Sequence, residues 1–192
     1  MTVKEALKDY RQAAMYAVGE LDKIERTYKD EEAKRLKKGV LERLQEKKNA
    51  AAAVFAAEIE AGKKKAEEWA RLDGDKITAD AKLLDFDMEP GEFEELANRY
   101  KDNGTMSRLL YKYGETKNAQ SLKENGTKGK YYPVELIPTR ERKAAEYGRD
   151  AKVAQALMDR MTIEQGYMQG VGSPMVEAGY NNFMDGVLDS DE

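Results

Sequence analysis

The stretch VKEALKDYRQAAMYAVGELDKIERTY, residues 3 to 28, decides the fold. Its apolar positions are Leu7, Tyr10, Ala14, Ala17, Leu21, Ile24 and Tyr28, spaced by three and four residues in strict alternation. That spacing places them on one stripe of an α-helix. Thr2 and Glu5 stand at the two ends of a capping box, so the helix starts almost at the first residue. Seven-residue spacing suits a coiled-coil seam. Alanines and tyrosines fill much of it, which favours packing against other helices over an isolated zipper.

The stripe resumes as Val40, Leu44, Ala51, Phe55, Ile59, Ala66 and Trp69. Between the two, Thr27 to Lys38 is dense in charge, and Asp30 fits an N-cap with Glu31 and Glu32 in the first turn. The pattern predicts a second helix from about 31 to 72, roughly 60 Å long if unbroken, with Gly74 as its C-cap. An antiparallel hairpin or bundle stalk follows from the two stripes. The triplet Lys63, Lys64 and Lys65 is flanked by Glu58, Glu60, Glu67 and Glu68. A solvated, charge-paired face explains it better than a nucleic-acid surface.

Composition removes whole classes of chemistry. The 192 residues contain no Cys and no His, and carry a net charge of -4. Thiolate nucleophiles, disulfides and zinc-thiolate sites are excluded, and so is the usual general base near neutral pH. A carboxylate-only site remains, but Asp73, Asp75 and Asp80 lack the later ligands of a calcium loop. The expectation is a non-enzymatic protein with no cofactor and no metal. The net charge argues against nucleic acid as the partner. No apolar run approaches the ~20 residues that span a bilayer, so no membrane role is expected.

Past the second helix, Thr78 or Asp80 opens a short helix through Leu83, Leu84 and Phe86. Pro90 then stands near the first turn of a helix with Phe93, Leu96, Ala97 and Tyr100 on its stripe. Asn103-Gly104 is read as its left-handed stop and Thr105 as the cap of the next helix, which presents Met106, Leu109, Leu110 and Tyr113. A DNA-reading helix would need more than Ser107 and Arg108 at its start, so a packing hairpin is expected.

EFEELANRYKDN, residues 92 to 103, followed by TMSRLLYKY, residues 105 to 113, resembles a pattern in small helical head-assembly or virion-associated proteins of tailed bacteriophages of Gram-positive hosts. Those proteins are similar in layout, with a charged coiled-coil front before such a hairpin. The resemblance implies a phage assembly role, scaffold-like or capsid-associated, in the bacterial cytoplasm or the virion. It implies protein partners and no catalytic residue.

Residues 114 to 130 read as a polar linker with turns at Asn125-Gly126. Residues 131 to 138, Tyr131-Tyr-Pro-Val-Glu-Leu-Ile-Pro138, form the one extended-looking stretch, an apolar strap over helices or a partner. Thr139 caps a helix over about 140 to 161. Residues 101 to 161 hold 13 basic and 8 acidic residues, whereas 162 to 192 hold six acidic residues and no Lys or Arg. The acidic segment reads as a flexible tail whose Tyr180, Phe183, Met184, Val187 and Leu188 could share one face of an induced helix.

The expected fold is therefore all-α, an elongated hairpin or coiled-coil stalk (1–74), a small helical domain with the strap (75–161), and a flexible acidic tail or docking segment (162–192). The expected function is a structural or assembly protein that self-associates as a homo-oligomer through its helices. It would dock on a capsid or other virion protein through Tyr131, Tyr132, Leu136 and Ile137 of the strap or through the tail anchors. The alternative is a phage-encoded inhibitor that occludes a host defence or regulatory protein.

Overall fold

The computed structural model describes residues 1–127, 134, 137–164, 167–169 and 173–186. The fold is all-α, with one short hairpin of strands. The chain divides into two units: residues 1–61 with 148–192, and residues 62–147. The sequence divides differently, at 74 and 161, because α2 runs through the boundary of the units without a break.

In the first unit, α1 spans Val3–Thr27 and α2 spans Asp30–Ala70. The Thr2–Glu5 box is formed: the Thr2 N–H donates to Glu5 Oε2 at 2.7 Å and the Glu5 N–H to Thr2 Oγ1 at 3.2 Å. The backbone and side-chain hydrogen bonds from Thr2 hold the Glu5 carboxyl below its ordinary pKa. The predicted stripe is the buried face, with Leu7, Tyr10, Ala14, Ala17, Leu21 and Ile24 all inside and Tyr28 outside as the C-cap. Asp30, read as an N-cap, stands at the head of α2 with φ 51°. That left-handed conformation is one a short polar side chain tolerates.

Two ion pairs fix the direction of the second helix. Glu25 meets Lys37 at 3.3 Å and Glu20 meets Arg43 at 2.9 Å, so α2 climbs as α1 descends. Ala17, Leu21 and Ile24 close on Val40 at the turn end. Further along, Ala6, Leu7 and Tyr10 share a core with Ala51 and Phe55.

Two more helices complete that core. The helix expected over 140–161 is interrupted at Gly148, giving α5 (Arg140–Tyr147) and α6 (Arg149–Arg160). α6 contributes Ala151, Ala154, Leu157 and Met158. Part of the segment read as a flexible tail is regular structure. Thr162–Glu164 (β1) pairs antiparallel with Tyr167–Gln169 (β2), and α7 spans Pro174–Asp185. Ser173 accepts the Val176 N–H, Pro174 occupies the first turn, and Gly186 closes the helix at φ 78°. Val176, Tyr180 and Phe183 complete the core. Burial of each such side chain stabilises by about 2 kcal/mol, which offsets the acidic composition.

The second unit opens with the last turns of α2. Gly74 is not a C-cap: α2 ends at Ala70, and Gly74–Lys76 is a 3-10 turn capped by Asp73. The short helix expected from Thr78 is a 3-10 helix over Ala79–Asp85. α3 spans Pro90–Arg99, with the proline in the first turn as predicted. α4 spans Gly104–Asn125, so most of the expected linker is helix, ended by Gly126 at φ 68°. Asn103, not Thr105, is its N-cap, accepting the Met106 N–H at 3.1 Å. Phe93, Leu96, Ala97 and Leu110 form the core with Met88, Val134 and Ile137.

Gly104, read as a turn residue, and Gly114, read as part of a linker, are both packing glycines. A Cβ on Gly104 would lie 1.9 Å from the Trp69 carbonyl oxygen. A Cβ on Gly114 would lie 2.8 Å from Val134 Cγ2 and 2.9 Å from Phe93 Cζ. Both sit inside or at the start of α4 because the backbone there is covered by neighbours.

Candidate functional site

Of the nine residues read as partner anchors, the four that the structure describes pack inside the chain. Ile137 is 1% exposed and sits in the core of the second unit. Tyr180 and Phe183 are 8% and 1% exposed, and Met184 packs at the edge of the same core. They are corrected from docking residues to packing residues. The physical reason is that α1 supplies what an acidic helix needs. Arg11 grips Glu177 through two nitrogens, at 2.6 and 3.3 Å, and its guanidinium lies 4.6 Å over the Tyr180 ring. Lys4 donates to the Met184 carbonyl at 2.9 Å and stands 5.7 Å from the Phe183 ring. Burial raises the Tyr180 pKa; the Arg11 charge opposes it, the Glu177 charge adds to it, and the net shift is upward. Tyr131, Tyr132, Leu136, Val187 and Leu188 lie outside the described residues.

Two of the surface features among the described residues bear on binding. The first is a groove of about 530 Å³ along the α1–α2 hairpin. Ala13, Ala17, Val40 and Ala50 keep its floor shallow and apolar, and the Glu20–Arg43 pair stands on its rim. Tyr16 lies in its wall yet is 67% exposed, with its hydroxyl donating to Glu20 at 3.1 Å. Small residues over a paired helix seam leave room for a third helix.

The second is a cleft of about 790 Å³ within the second unit, where the end of α2, the start of α4 and the start of α5 converge. Trp69, Leu72 and Tyr111 line it on the apolar side, and Arg71, Arg108 and Arg140 line it on the cationic side. Its frame is well fixed. Trp69 Nε1 donates to the Asp102 carbonyl at 3.2 Å. The buried Thr105 hydroxyl accepts the Asp73 N–H at 3.1 Å and donates to the Arg71 carbonyl at 3.4 Å. Lys143 lies 5.8 Å from the Trp69 ring and 3.1 Å from Glu146. Burial alone would lower the Lys143 pKa. The hydrogen bond and charge of Glu146, with the charges of Tyr147 and Asp102, outweigh it and leave the pKa raised.

The arginines differ in what holds them. Arg140 pairs with Glu141 at 3.2 Å. Among the described residues no carboxylate pairs with Arg71 or Arg108. Arg108 was visible in the sequence as a residue at a helix start. Arg71 and Arg140 carried no periodic signal, and Trp69 read as the last residue of the apolar stripe.

The aspartates that suggested a calcium loop have other partners. Asp73 caps the 3-10 turn, and Asp80 accepts from Arg99 at 3.0 Å and from the Tyr100 hydroxyl at 2.8 Å. Among the described residues no helix is long and apolar enough to cross a membrane. No family model, curated protein or solved structure matches the chain.

Proposed function

We propose that this chain is a non-enzymatic assembly protein of a tailed bacteriophage, scaffold-like or capsid-associated, that self-associates through the groove of its α1–α2 hairpin. The observation that carries the reading is that groove: an apolar, alanine-floored strip beside the exposed Tyr16, rimmed by the Glu20–Arg43 pair. A small apolar strip with charged rims suits contacts that form and dissolve during assembly, unlike the wide apolar face of an obligate dimer. The occupant is the same groove region of a second copy, because the exposed Tyr16 offers an aromatic anchor that such a floor accepts. The resemblance of residues 92–113 to head-assembly proteins supplies the setting, either the host cytoplasm or the virion.

Sedimentation velocity across a concentration series tests self-association, with Tyr16→Glu as the variant. The wild type is expected to form dimers or higher species and Tyr16→Glu to remain monomeric with unchanged helicity. Mass spectrometry of purified procapsids and virions tests the setting. A chain that is monomeric at every concentration, is absent from particles and forms a tight one-to-one complex with a host protein would overturn the assembly reading in favour of an inhibitor.

A further inference from the structure

We propose that the arginine-walled cleft of the second unit docks an acidic protein segment, one in which an aliphatic or aromatic side chain is followed closely by carboxylates. This inference goes beyond the assembly reading and does not depend on it.

The cleft offers two kinds of contact side by side. Trp69, Leu72 and Tyr111 form an apolar wall, and Leu72 is 57% exposed although it is a large aliphatic residue. Arg71 and Arg108, without carboxylate partners among the described residues, supply forked donors that match carboxylate geometry. The volume of about 790 Å³ lies in the range of ligand-binding clefts, enough for a few side chains but not for a folded surface.

The lining also selects against a nucleic-acid strand. Glu67 and Glu68 share the cleft with the arginines, so the positive field is local rather than a continuous stripe. A phosphate backbone, with a charge at each step, would meet those carboxylates. A peptide can place its own carboxylates over Arg71 and Arg108 and a neutral residue beside Glu67 and Glu68. The frame is pre-formed: Thr105 ties α4 to the end of α2, and the Trp69 indole is held by the Asp102 carbonyl. Binding therefore needs little ordering of the receptor.

The chain has a single Trp, which lines the cleft, so intrinsic fluorescence reports on it directly. The full chain is titrated with a short synthetic peptide bearing Leu and Phe followed by three Asp residues. Parallel titrations use the same peptide with Lys in place of Asp, the same peptide with Ala in place of Leu and Phe, and oligo-dT. The acidic-apolar peptide is expected to change Trp69 emission saturably and to weaken as salt rises. The Ala peptide should bind more weakly and the Lys peptide and oligo-dT not at all. The double variant Arg71→Gln/Arg108→Gln should lose about tenfold or more in affinity. Both side chains are exposed, so the variant keeps its fold, which circular dichroism checks. Arg26→Gln, in the other unit, should bind as wild type. Arg108→Glu should shift preference toward the Lys peptide. Absence of any emission change with the acidic peptide would overturn the proposal. So would equal binding of the acidic and Lys peptides, or unchanged affinity in the double variant. Tighter binding of oligo-dT than of the peptide would replace it with a nucleic-acid site.

Discussion

Gly104→Ala is the sharpest probe of the second unit. The added Cβ would stand 1.9 Å from the Trp69 carbonyl oxygen and 2.8 Å from its carbonyl carbon. Both are main-chain atoms, so no side-chain rotation relieves the clash. Real Cβ contacts essentially never fall below 3.0 Å, so the start of α4 and the end of α2 must separate by about 1.1 Å. Overpacking of this kind costs about 1–3 kcal/mol. The separation also stretches the Thr105 hydroxyl bonds and the indole bond to Asp102, whose net worth is about 1 kcal/mol each. Alanine's better helix propensity returns under about 1 kcal/mol. The net expectation is a loss of roughly 2–4 kcal/mol from these opposing effects. Urea unfolding followed by Trp69 fluorescence reads the second unit alone, and a lower midpoint with an unchanged slope is the expected result. Gly91→Ala is the matched control in the same unit. It lies in the first turn of α3 with nothing within 4 Å of the added carbon, and should stabilise by up to about 1 kcal/mol. If Gly104→Ala also stabilises, the close approach of the two backbones is wrong, and with it the cleft frame.

Other expectations concern the first unit. Phe183→Ala should cost about 3–5 kcal/mol, because the ring is buried among α1, α2 and α6, and thermal melts by circular dichroism check it. Truncation before Ser173 should likewise destabilise the unit, whereas a free tail would leave the melt unchanged. Arg11→Met should lower stability by roughly 1–2 kcal/mol through loss of the Glu177 pair and the Tyr180 stack, and Arg11→Lys should not fully restore it. Burial first, and then the Asp159 charge, raises the pKa of Tyr10, whose hydroxyl donates to the Met161 carbonyl at 2.9 Å. Tyr180 is raised too. A folded-state pKa above the unfolded value means a contribution that is complete below about pH 10 and lost as the pH rises further. Melting temperatures should therefore fall above about pH 10, and Tyr10→Phe should reduce that fall. A flat profile through that range would refute the assignment.

How much of this was legible in the chain depends on which signal carried it. The heptad stripe of α1 named its buried face from Leu7 to Ile24, because period alone decides which side of a helix faces a core. The helix starts at Thr2, Pro90 and Thr139 were legible for a related reason, since each satisfies or dispenses with a backbone group within one turn. Glycine was ambiguous. Gly126 ends a helix by its φ, whereas Gly104 and Gly114 serve by having no side chain where another element passes. A single sequence cannot separate the two uses, so α4 was cut short. The acidic segment misled for a different reason. Its charges are compatible with a core helix because Arg11 and Lys4, at the far end of the chain, complement them. The same fact redirects the search for partners. The seam of α1, the anchors Tyr180 and Phe183, and Ile137 of the strap are consumed in folding, so they cannot also bind. The two proposals therefore rest on side chains that folding leaves exposed, Tyr16 above the hairpin groove in the first unit and Arg71 and Arg108 around the cleft in the second, and each is testable without the other.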